Sequence, residues 1–372
     1  MTQPKPELEL TWDQALAWRL GQQLLDSPGT NPVRVVSKIG GVQTQVASSA
    51  TQAVAIRSTR LADIEDLLWE KRRLLKTWAM RGTLHLLPAS EIGLWIAALR
   101  QRPWKITPAW EKYHGIKKSQ LDSLTGAIPE VISGEPMTRE ELTAAVVAKT
   151  RDRGLGEALS SGWSQVLKPA ANRGLLAQGP PRGRNVTFVD PGAWMGASLD
   201  EPGPEEAMRV VVERFLDANG PATVSDFARW FGVDPKTGRE LMTPVVENLV
   251  SVDIEGHQGL LTKAGAKAAA NAKPAESAHL LPGFDPYTLA PISHREHIIP
   301  KGKVDQVSKA AGWIAPVILD NGRIIGTWET EDGSIALQPF GKLPRKTISA
   351  LKDHVEHRYH GLLGKSIAVT VS

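Results

Sequence analysis

The sequence predicts an α+β fold in which helix–helix–hairpin modules repeat in tandem and a β-rich, barrel-like domain follows. Capped helices recur in residues 1–272, short apolar runs around glycine turns follow them, and residues 273–372 alternate between apolar runs and turns. These changes along a chain of 372 residues are consistent with several domains. We place the predicted boundaries at 1–120, 121–200, 201–272 and 273–372.

The first module opens with a helix signal. Thr11 is a capping residue, Gln14 completes a capping box, and apolar residues then recur at helical spacing. Further on, two β-type runs, 74–80 and 83–87, flank Arg81-Gly82 and predict a hairpin. Helices followed by a hairpin are typical of a winged helix, in which the hairpin is the wing.

The same pattern recurs twice. A threonine-capped helix behind glycine and proline is predicted at 137–146 and again at 222–231, and each is followed by a second helix that ends where a wing would begin, at 168–176 and 245–252. The chain therefore carries three copies of one module. Such an array suits an extended ligand, and winged helices most often follow duplex DNA.

The second predicted wing, 179–189, is basic. Arg182 and Arg184 lie at its tip, and Lys168 and Arg173 lie on the preceding helix. Arginines on a thin hairpin can enter a minor groove or hold phosphates, so these four residues are candidate DNA contacts. A solvated basic turn is the alternative interpretation.

Residues 264–272, an alanine-rich helix or linker, lead into the last domain. There, Asn321-Gly322 between apolar runs is a strong hairpin signal. Further strands are predicted at 334–338 and 366–371, with a helix at 346–360 between them. We interpret this region as a small, partly closed barrel.

Composition excludes several classes of protein. The chain has no cysteine, which excludes disulfides, thiolate metal sites and a cysteine nucleophile. No ordinary signal peptide or run of eighteen apolar residues is present, so a cytoplasmic protein that does not enter the membrane is expected. A net charge of +4 and a pI near 9.2 are compatible with a polyanionic partner.

Motifs for nucleotide hydrolases, dehydrogenases, zinc peptidases and serine hydrolases are absent. His279, His294 and His297 lie near acidic residues in the sequence, but their spacing fits no standard zinc pattern. We therefore expect no metal and no cofactor.

The remaining polar feature is Gln43-Thr44-Gln45, which follows two glycines. On an extended segment, Gln43 and Gln45 point to the same side. An amide is no general base near neutral pH, yet it can accept from and donate to a water, so the pair could direct one water at an electrophile. The alternative is a solvated turn.

Several segments together resemble the winged-helix DNA glycosylases of the AlkZ/YcaQ type, over nearly the whole chain and in the family's order. They are Thr11-Trp12-Asp13-Gln14-Ala15, Gln43-Thr44-Gln45, Trp78-Ala79-Met80-Arg81-Gly82-Thr83-Leu84-His85, Leu281-Pro282-Gly283-Phe284-Asp285-Pro286-Tyr287 and Gly326-Thr327-Trp328.

The resemblance implies a C-shaped array of three winged helices with a C-terminal β-barrel. It also implies an enzyme that removes bulky alkylated bases, including interstrand crosslinks, from double-stranded DNA. Gln43 and Gln45 match the two ends of the family's catalytic motif, and glutamine at the second position places the chain nearer the AlkZ branch.

Alkylation at N7 or N3 of a purine makes the base a good leaving group, so the expected task is to place a water and stabilise an oxocarbenium-like sugar. Lys38 could attack C1′ as an amine or contact a phosphate, and we predict the phosphate contact and monofunctional hydrolysis to an abasic site. Arg81 and His85 are further candidate DNA contacts. We expect a monomer.

A transcription regulator is the alternative function, because tandem winged helices are typical of repressors. The candidate recognition helix, 161–173, offers Ser164, Gln165, Lys168, Asn172 and Arg173 as base-reading side chains, which is compatible with that role. A purely structural DNA-binding protein is a third possibility. Neither alternative would release a base.

Overall fold

The computed structural model describes residues 6–60, 63–104, 106–160, 165–289, 291–331, 334–359 and 368–371. The chain divides into two compact units. Unit 1 comprises residues 1–62 and 209–372, and unit 2 comprises residues 63–208. Some residues of the predicted elements lie outside these ranges: Ser161 and Ser164 of the candidate recognition helix, His360 at the end of the predicted helix 346–360, and Ser366 at the start of the last predicted strand.

The α-helices of the described chain are α1 Trp12–Gln22, α2 Pro32–Lys38, α3 Ala47–Ala55, α4 Ile92–Leu99, α5 Pro108–His114, α6 Lys118–Val131, α7 Arg139–Thr150, α8 Arg153–Ser160, α9 Lys168–Asn172, α10 Pro191–Met195, α11 Pro204–Asn219, α12 Val224–Phe231, α13 Pro235–Leu241, α14 Lys263–Ala269, α15 Pro286–Leu289, α16 Arg295–Ile298, α17 Val304–Val307 and α18 Arg345–His354.

The strands of the same residues are β1 Leu8–Leu10, β2 Val42–Gln43, β3 Leu74–Trp78, β4 Leu84–Pro88, β5 Met137–Thr138, β6 Ala177–Arg182, β7 Asn185–Val189, β8 Leu249–Ile254, β9 His257–Thr262, β10 Ala278–Leu281, β11 Val317–Asp320, β12 Arg323–Glu331, β13 Ser334–Pro339 and β14 Val369–Val371. The chain is therefore a mixed α+β protein.

The predicted helix starts are present. Thr11, Thr138 and Thr223 each accept a hydrogen bond from the third backbone N–H of the helix that follows, and the third residue's side chain accepts from the cap's own N–H. Each capping box satisfies two amide donors that have no partner within the helix, so the sequence determines where α1, α7 and α12 begin.

In unit 1, most of α11 and all of α12 and α13 precede the antiparallel hairpin β8–β9. The N-terminal strand β1 adds to this hairpin in parallel, with Leu8 opposite Val252. Ala222, just before α12, forms an isolated bridge with Leu260 on β9. The buried side chains of α1, β1 and the hairpin belong to one hydrophobic core that also includes the C-terminal strands.

The C-terminal strands form an open sheet in the order β10-β11-β12-β13-β14. The predicted Asn321-Gly322 turn joins β11 to β12, and both residues have positive φ, 51° and 81°. All neighbours are antiparallel except β13 and β14. Within the described residues β10 and β14 do not pair with each other, so no closed barrel is found.

In unit 2, the two predicted hairpins are present as β3–β4 and β6–β7, and they share one sheet in the order β4-β3-β6-β7-β5. The short strand β5 immediately precedes α7 and pairs with β7, with Met137 opposite Phe188. Helices α6 to α9 pack behind this sheet around a second hydrophobic core.

Two local predictions differ in detail. The second helix predicted at 245–252 is instead a 3₁₀ segment, Thr243–Asn248, which ends because strand β8 begins at Leu249. The alanine-rich tract is a helix, α14, which Thr262 caps. No helix of the described ranges is long and apolar enough to cross a membrane.

Candidate active site and nucleic-acid contacts

The segment that carries the two glutamines begins where α2 ends. The N–H of Gly41 donates to the Val36 carbonyl, and Gly40 and Gly41 have φ of 75° and 88°. Backbone in this region favours glycine, because a side chain there clashes with the following carbonyl. The glycine pair therefore ends the helix and turns the chain into β2.

Gln43 and Gln45 lie on the same side of the extended segment, as expected. The Nε2 of Gln43 is 3.5 Å from the Oε1 of Gln45. Gln43 is only 6% exposed, whereas Gln45 is exposed to solvent. Thr44 between them is buried. One amide is thus buried and the other is open to solvent, so a water can reach the Gln45 end of the pair.

Helix α3 follows the glutamines immediately and is held by a buried ion pair. At its end, the guanidinium of Arg57 donates to both carboxylate oxygens of Asp285, at 2.7 and 2.8 Å. Both side chains are 0% exposed. Arg57 also donates to the carbonyls of Ala53 and Gln23, so its donors are satisfied by fixed acceptors. The pair fixes α3, and α3 fixes the segment before it.

Asp285 belongs to the Leu281-Pro282-Gly283-Phe284-Asp285 segment, whose backbone is unusual. Phe284 has φ of 59°, a conformation that non-glycine residues rarely adopt. A Cβ on Gly283 would lie 3.0 Å from the Ile314 carbonyl and 3.6 Å from the Ser49 hydroxyl of α3. This segment therefore packs closely against the helix that follows the glutamines.

A second buried arginine supports the same segment. Arg19 of α1 is 0% exposed and donates to the carbonyl of Tyr287, and its guanidinium lies 4.1 Å from the centre of the Tyr287 ring. Neither Arg19 nor Arg57 was singled out from the sequence. Each stands in a helical pattern, where an arginine normally faces solvent, so only their distant partners reveal them.

Lys38, at the end of α2, is exposed, and its Nζ donates to Gln22 Oε1 at 2.6 Å. Lys38 lines a shallow groove with Arg34, and acidic residues Glu213 and Asp217 line it too. The Lys38 ammonium therefore forms its hydrogen bond with Gln22, and not with Gln43 or Gln45.

In unit 2, the first hairpin gathers several basic side chains. Arg81, with φ of 55°, forms the turn, and Lys168 packs against Gly82. Arg102 donates to the Ala79 carbonyl in the same turn. Burial lowers the pKa of Lys168, and the nearby charge of Arg102 lowers it further. Arg81, Lys168 and Arg102 thus form one basic cluster, which we call the hairpin cluster.

His85 lies inside this hairpin and is 3% exposed. Burial lowers the pKa of His85 to about 3, and the charges of Arg81 and Arg102 act in the same direction. Its Nδ1 contacts the Thr83 carbonyl at 2.9 Å. A buried, neutral imidazole of this kind is a structural part of the hairpin, and a direct DNA contact by His85 stays a prediction.

The basic residues of the second hairpin differ from each other. Arg182 donates to Glu141 Oε1 and to the Pro136 carbonyl, each at 2.6 Å. Arg184 is exposed at the hairpin tip and makes no ion pair with any described residue. Arg173 is exposed at the end of α9. Arg184 is therefore available to a ligand, while Arg182 already has acceptors.

Among the described residues, no three or more histidine and acidic side chains converge as metal ligands. His279 instead contacts the Asp26 carboxylate at 2.9 Å, and His294 packs edge-on against Trp12 while His297 stacks on it. His294 and His297 thus share Trp12 as a neighbour, whereas His279 has a different partner.

Comparison with known proteins identifies the class. A sequence model of the family described as DNA glycosylase AlkZ-like matches residues 36–359. An interstrand DNA cross-link repair glycosylase from Streptomyces sahachiroi is 37% identical over 359 residues, which cover 94% of this chain and 96% of the relative. The solved structure of the Streptomyces sahachiroi DNA glycosylase AlkZ superposes with a TM-score of 0.91 at 34% identity, covering 98% of this chain and all of that one.

Fold and family together define the chain as a DNA glycosylase. Within that class, it belongs to the AlkZ-like family, as the sequence segments predicted. Enzymes of this class act on DNA, and the function of the chain is DNA repair.

Proposed function

We propose that this chain excises bulky N7- or N3-alkylated purines from double-stranded DNA, including bases joined in interstrand crosslinks, and leaves an abasic site. The observation that carries the proposal is the contact between Gln43 and Gln45, one amide buried and the other exposed. The relative named for interstrand cross-link repair supports the choice of substrate, because the two chains match over nearly their full lengths.

The chemistry requires little acid catalysis. An alkylated purine is positively charged at the ring and leaves readily, so the transition state resembles an oxocarbenium sugar approached by water. Two amide oxygens directed at C1′ would accept hydrogen bonds from that water and place the negative ends of their dipoles near the developing cation. Neutral amides suit this role, although a carboxylate would act more strongly.

We further infer that the helix–hairpin units are winged helices, three in tandem, in the division 1–120, 121–200 and 201–272 with a barrel-like domain at 273–372. The support is a shared detail of geometry. In the second and third modules, the residue before a threonine-capped helix pairs with the second strand of the hairpin that follows. Met137 pairs with Phe188, and Ala222 pairs with Leu260. A short strand that joins a wing in this way is expected of repeated copies of one module.

Phosphate contacts in the proposal come from the exposed basic residues. Arg184 at the tip of β6–β7 is the best supported, because it is exposed, and the hairpin cluster places further positive charge at the first hairpin. Arg173 and Lys38 are exposed and suit the same role, and Arg182 would have to exchange Glu141 for a phosphate. The chain is proposed to act as a monomer.

Hydrolysis without strand cleavage is proposed, because Lys38, the lysine nearest to the glutamines in the sequence, makes its hydrogen bond elsewhere. Lys38 is hydrogen-bonded to Gln22 and exposed. A lyase would need an amine of lowered pKa at C1′.

The test is incubation with a duplex that carries one bulky N7-alkylguanine, followed by analysis with and without hot alkali. We expect the enzyme to release the base without alkali. We expect the strand to be cleaved only after alkali, at the abasic site. Cleavage without alkali would show a lyase, and a failure to release base from small or bulky adducts despite tight duplex binding would leave a DNA-binding regulator as the better account.

A further inference from the structure

Helix α12 of unit 1 is joined to the chain before α16 by an aspartate and a serine. The N–H and the Oγ of Ser293 both donate to the Asp226 carboxylate, at 3.0 and 2.6 Å. The same carboxylate accepts from Thr223, the residue that caps α12. Asp226 is 5% exposed, so this contact is buried and fixes the segment that follows Ser293 against α12.

This contact brings two arginines together. Arg229 lies three residues after Asp226 on α12, and Arg295 lies two residues after Ser293, at the start of α16. Residues three apart on a helix are neighbours on its surface, so Arg229 is placed on the side of α12 that holds the serine. Burial lowers the pKa of Arg295, and the charge of Arg229 lowers it further, as expected of two cations that lie close together.

Neither guanidinium has a partner among the described residues. Within those ranges, neither Arg229 nor Arg295 forms a side-chain hydrogen bond or an ion pair, and Asp226, the acidic residue of α12, is already occupied by Ser293 and Thr223. Arg229 is exposed and Arg295 is partly buried. Two such cations side by side repel each other, and an anion between them would relieve the repulsion.

Helix α12 also contacts the turn before the glutamines. Trp230 follows Arg229, and a Cβ on Gly40 would lie 3.4 Å from the Trp230 ring. Gly40 is the first residue of the glycine pair that leads into Gln43. The helix that carries Arg229 therefore lies against the proposed catalytic segment.

We propose that Arg229 and Arg295 together hold one backbone phosphate of the duplex, close to the glutamine segment. The donors of a guanidinium match the oxygens of a phosphate, and two arginines can share one phosphodiester. The contact of α12 with the glycine turn favours a DNA phosphate over free phosphate. This inference rests on the proposed function, because it requires that duplex DNA reach Gln43 and Gln45.

The first test measures the affinity for an undamaged duplex at several salt concentrations, with the full chain, Arg229→Gln, Arg295→Gln and the double variant. We expect each single substitution to weaken binding about tenfold at low salt. The double variant should reduce the slope of log affinity against log salt concentration by about 1, as expected for the loss of one phosphate contact. A reduction of about 2 would indicate two separate phosphates and would overturn the shared site.

A charge-matched control is Arg345→Gln, which removes an exposed arginine of α18 and should leave affinity and slope unchanged. Arg295→Gln should not lower the melting temperature of the unliganded protein, because it removes a partly buried cation that has no partner. A lower melting temperature with unchanged duplex affinity would show a structural role and overturn the proposal.

The second test places the phosphate. Duplexes with one N7-alkylguanine carry a neutral methylphosphonate at a single position, moved one nucleotide at a time on both sides of the lesion. We expect one position near the lesion at which the neutral group weakens binding by wild type and not by the double variant. The absence of such a position would contradict the proposal.

Titration with inorganic phosphate separates the two sources of the anion. Saturable phosphate binding that Arg295→Gln abolishes, with duplex affinity unchanged, would assign the pair to free phosphate and overturn the DNA contact. Base release, measured on the same samples, distinguishes this result from failure of the proposed function. Duplex binding through the pair without base release by wild type would refute only excision, whereas base release with wild-type duplex affinity and salt slope in all three variants would refute only the arginine site.

Discussion

Arg57 and Asp285, 228 residues apart in sequence, form a bidentate ion pair with no solvent exposure of either side chain. The pair joins the end of α3 to the Leu281–Asp285 segment. It places the helix that directly follows Gln43 and Gln45, so the pair links a distant part of the chain to the proposed catalytic segment.

Removal of one charge from this pair should be strongly destabilising. We expect Asp285→Asn to lower the free energy of unfolding by about 3–5 kcal/mol, because the Arg57 charge would remain buried without its partner. Urea denaturation measures this change. The double variant Arg57→Met with Asp285→Leu should recover much of the loss, and a double variant as unstable as Asp285→Asn would contradict this account.

The two arginines of the second hairpin provide a matched comparison. Arg184→Ala should reduce the slope of log affinity against log salt concentration by about 1, as expected for the loss of one phosphate contact. Arg182→Ala should change the slope less, because Arg182 already donates to Glu141 and Pro136. Duplex binding at several salt concentrations tests both, and equal changes would show that Arg182 exchanges partners on binding.

His85 should make stability depend on pH. The pKa of His85 is lowered from 6.5 to about 3, so the unfolded chain takes up a proton below pH 6.5 that the folded chain does not. The contribution of His85 to the free energy of unfolding is at its maximum above pH 6.5, and it decreases as the pH falls toward 3.

The variant His85→Gln isolates this effect, because other titrating groups are common to both proteins. The difference in unfolding free energy between wild type and variant should change by about 1.4 kcal/mol per pH unit between pH 6 and 4, and stay constant above pH 7. A difference that is flat across the whole range would mean that His85 has the same pKa in the folded and unfolded chains, which would contradict this account.

Much of the fold could be predicted from local signals. The capping boxes at Thr11, Thr138 and Thr223, and the turns at Arg81-Gly82 and Asn321-Gly322, depend on residues within a few positions of each other. The extended glutamine segment could be predicted for the same reason, since two adjacent glycines end the helix before it.

The remaining features depend on contacts between distant residues. The pairing of β1 with β8, the Arg57–Asp285 pair and the burial of Arg19 have no local signature, because the partners are far apart in sequence. The difference between Arg182 and Arg184 likewise depends on Glu141, which no pattern in the hairpin itself reveals. The open C-terminal sheet in place of a closed barrel depends on the pairing of its last strands.

The central claim is that Gln43 and Gln45 together hold the attacking water. The most direct test is single-turnover release of a bulky N7-alkylguanine by wild type, Gln43→Ala, Gln45→Ala and Gln45→Asp, with duplex affinity measured for each. We expect each alanine variant to lose about 10²-fold or more in rate with duplex binding retained, and Gln45→Asp to keep more activity than Gln45→Ala, because its carboxylate can still accept from the water. Wild-type rates in both alanine variants would contradict the account.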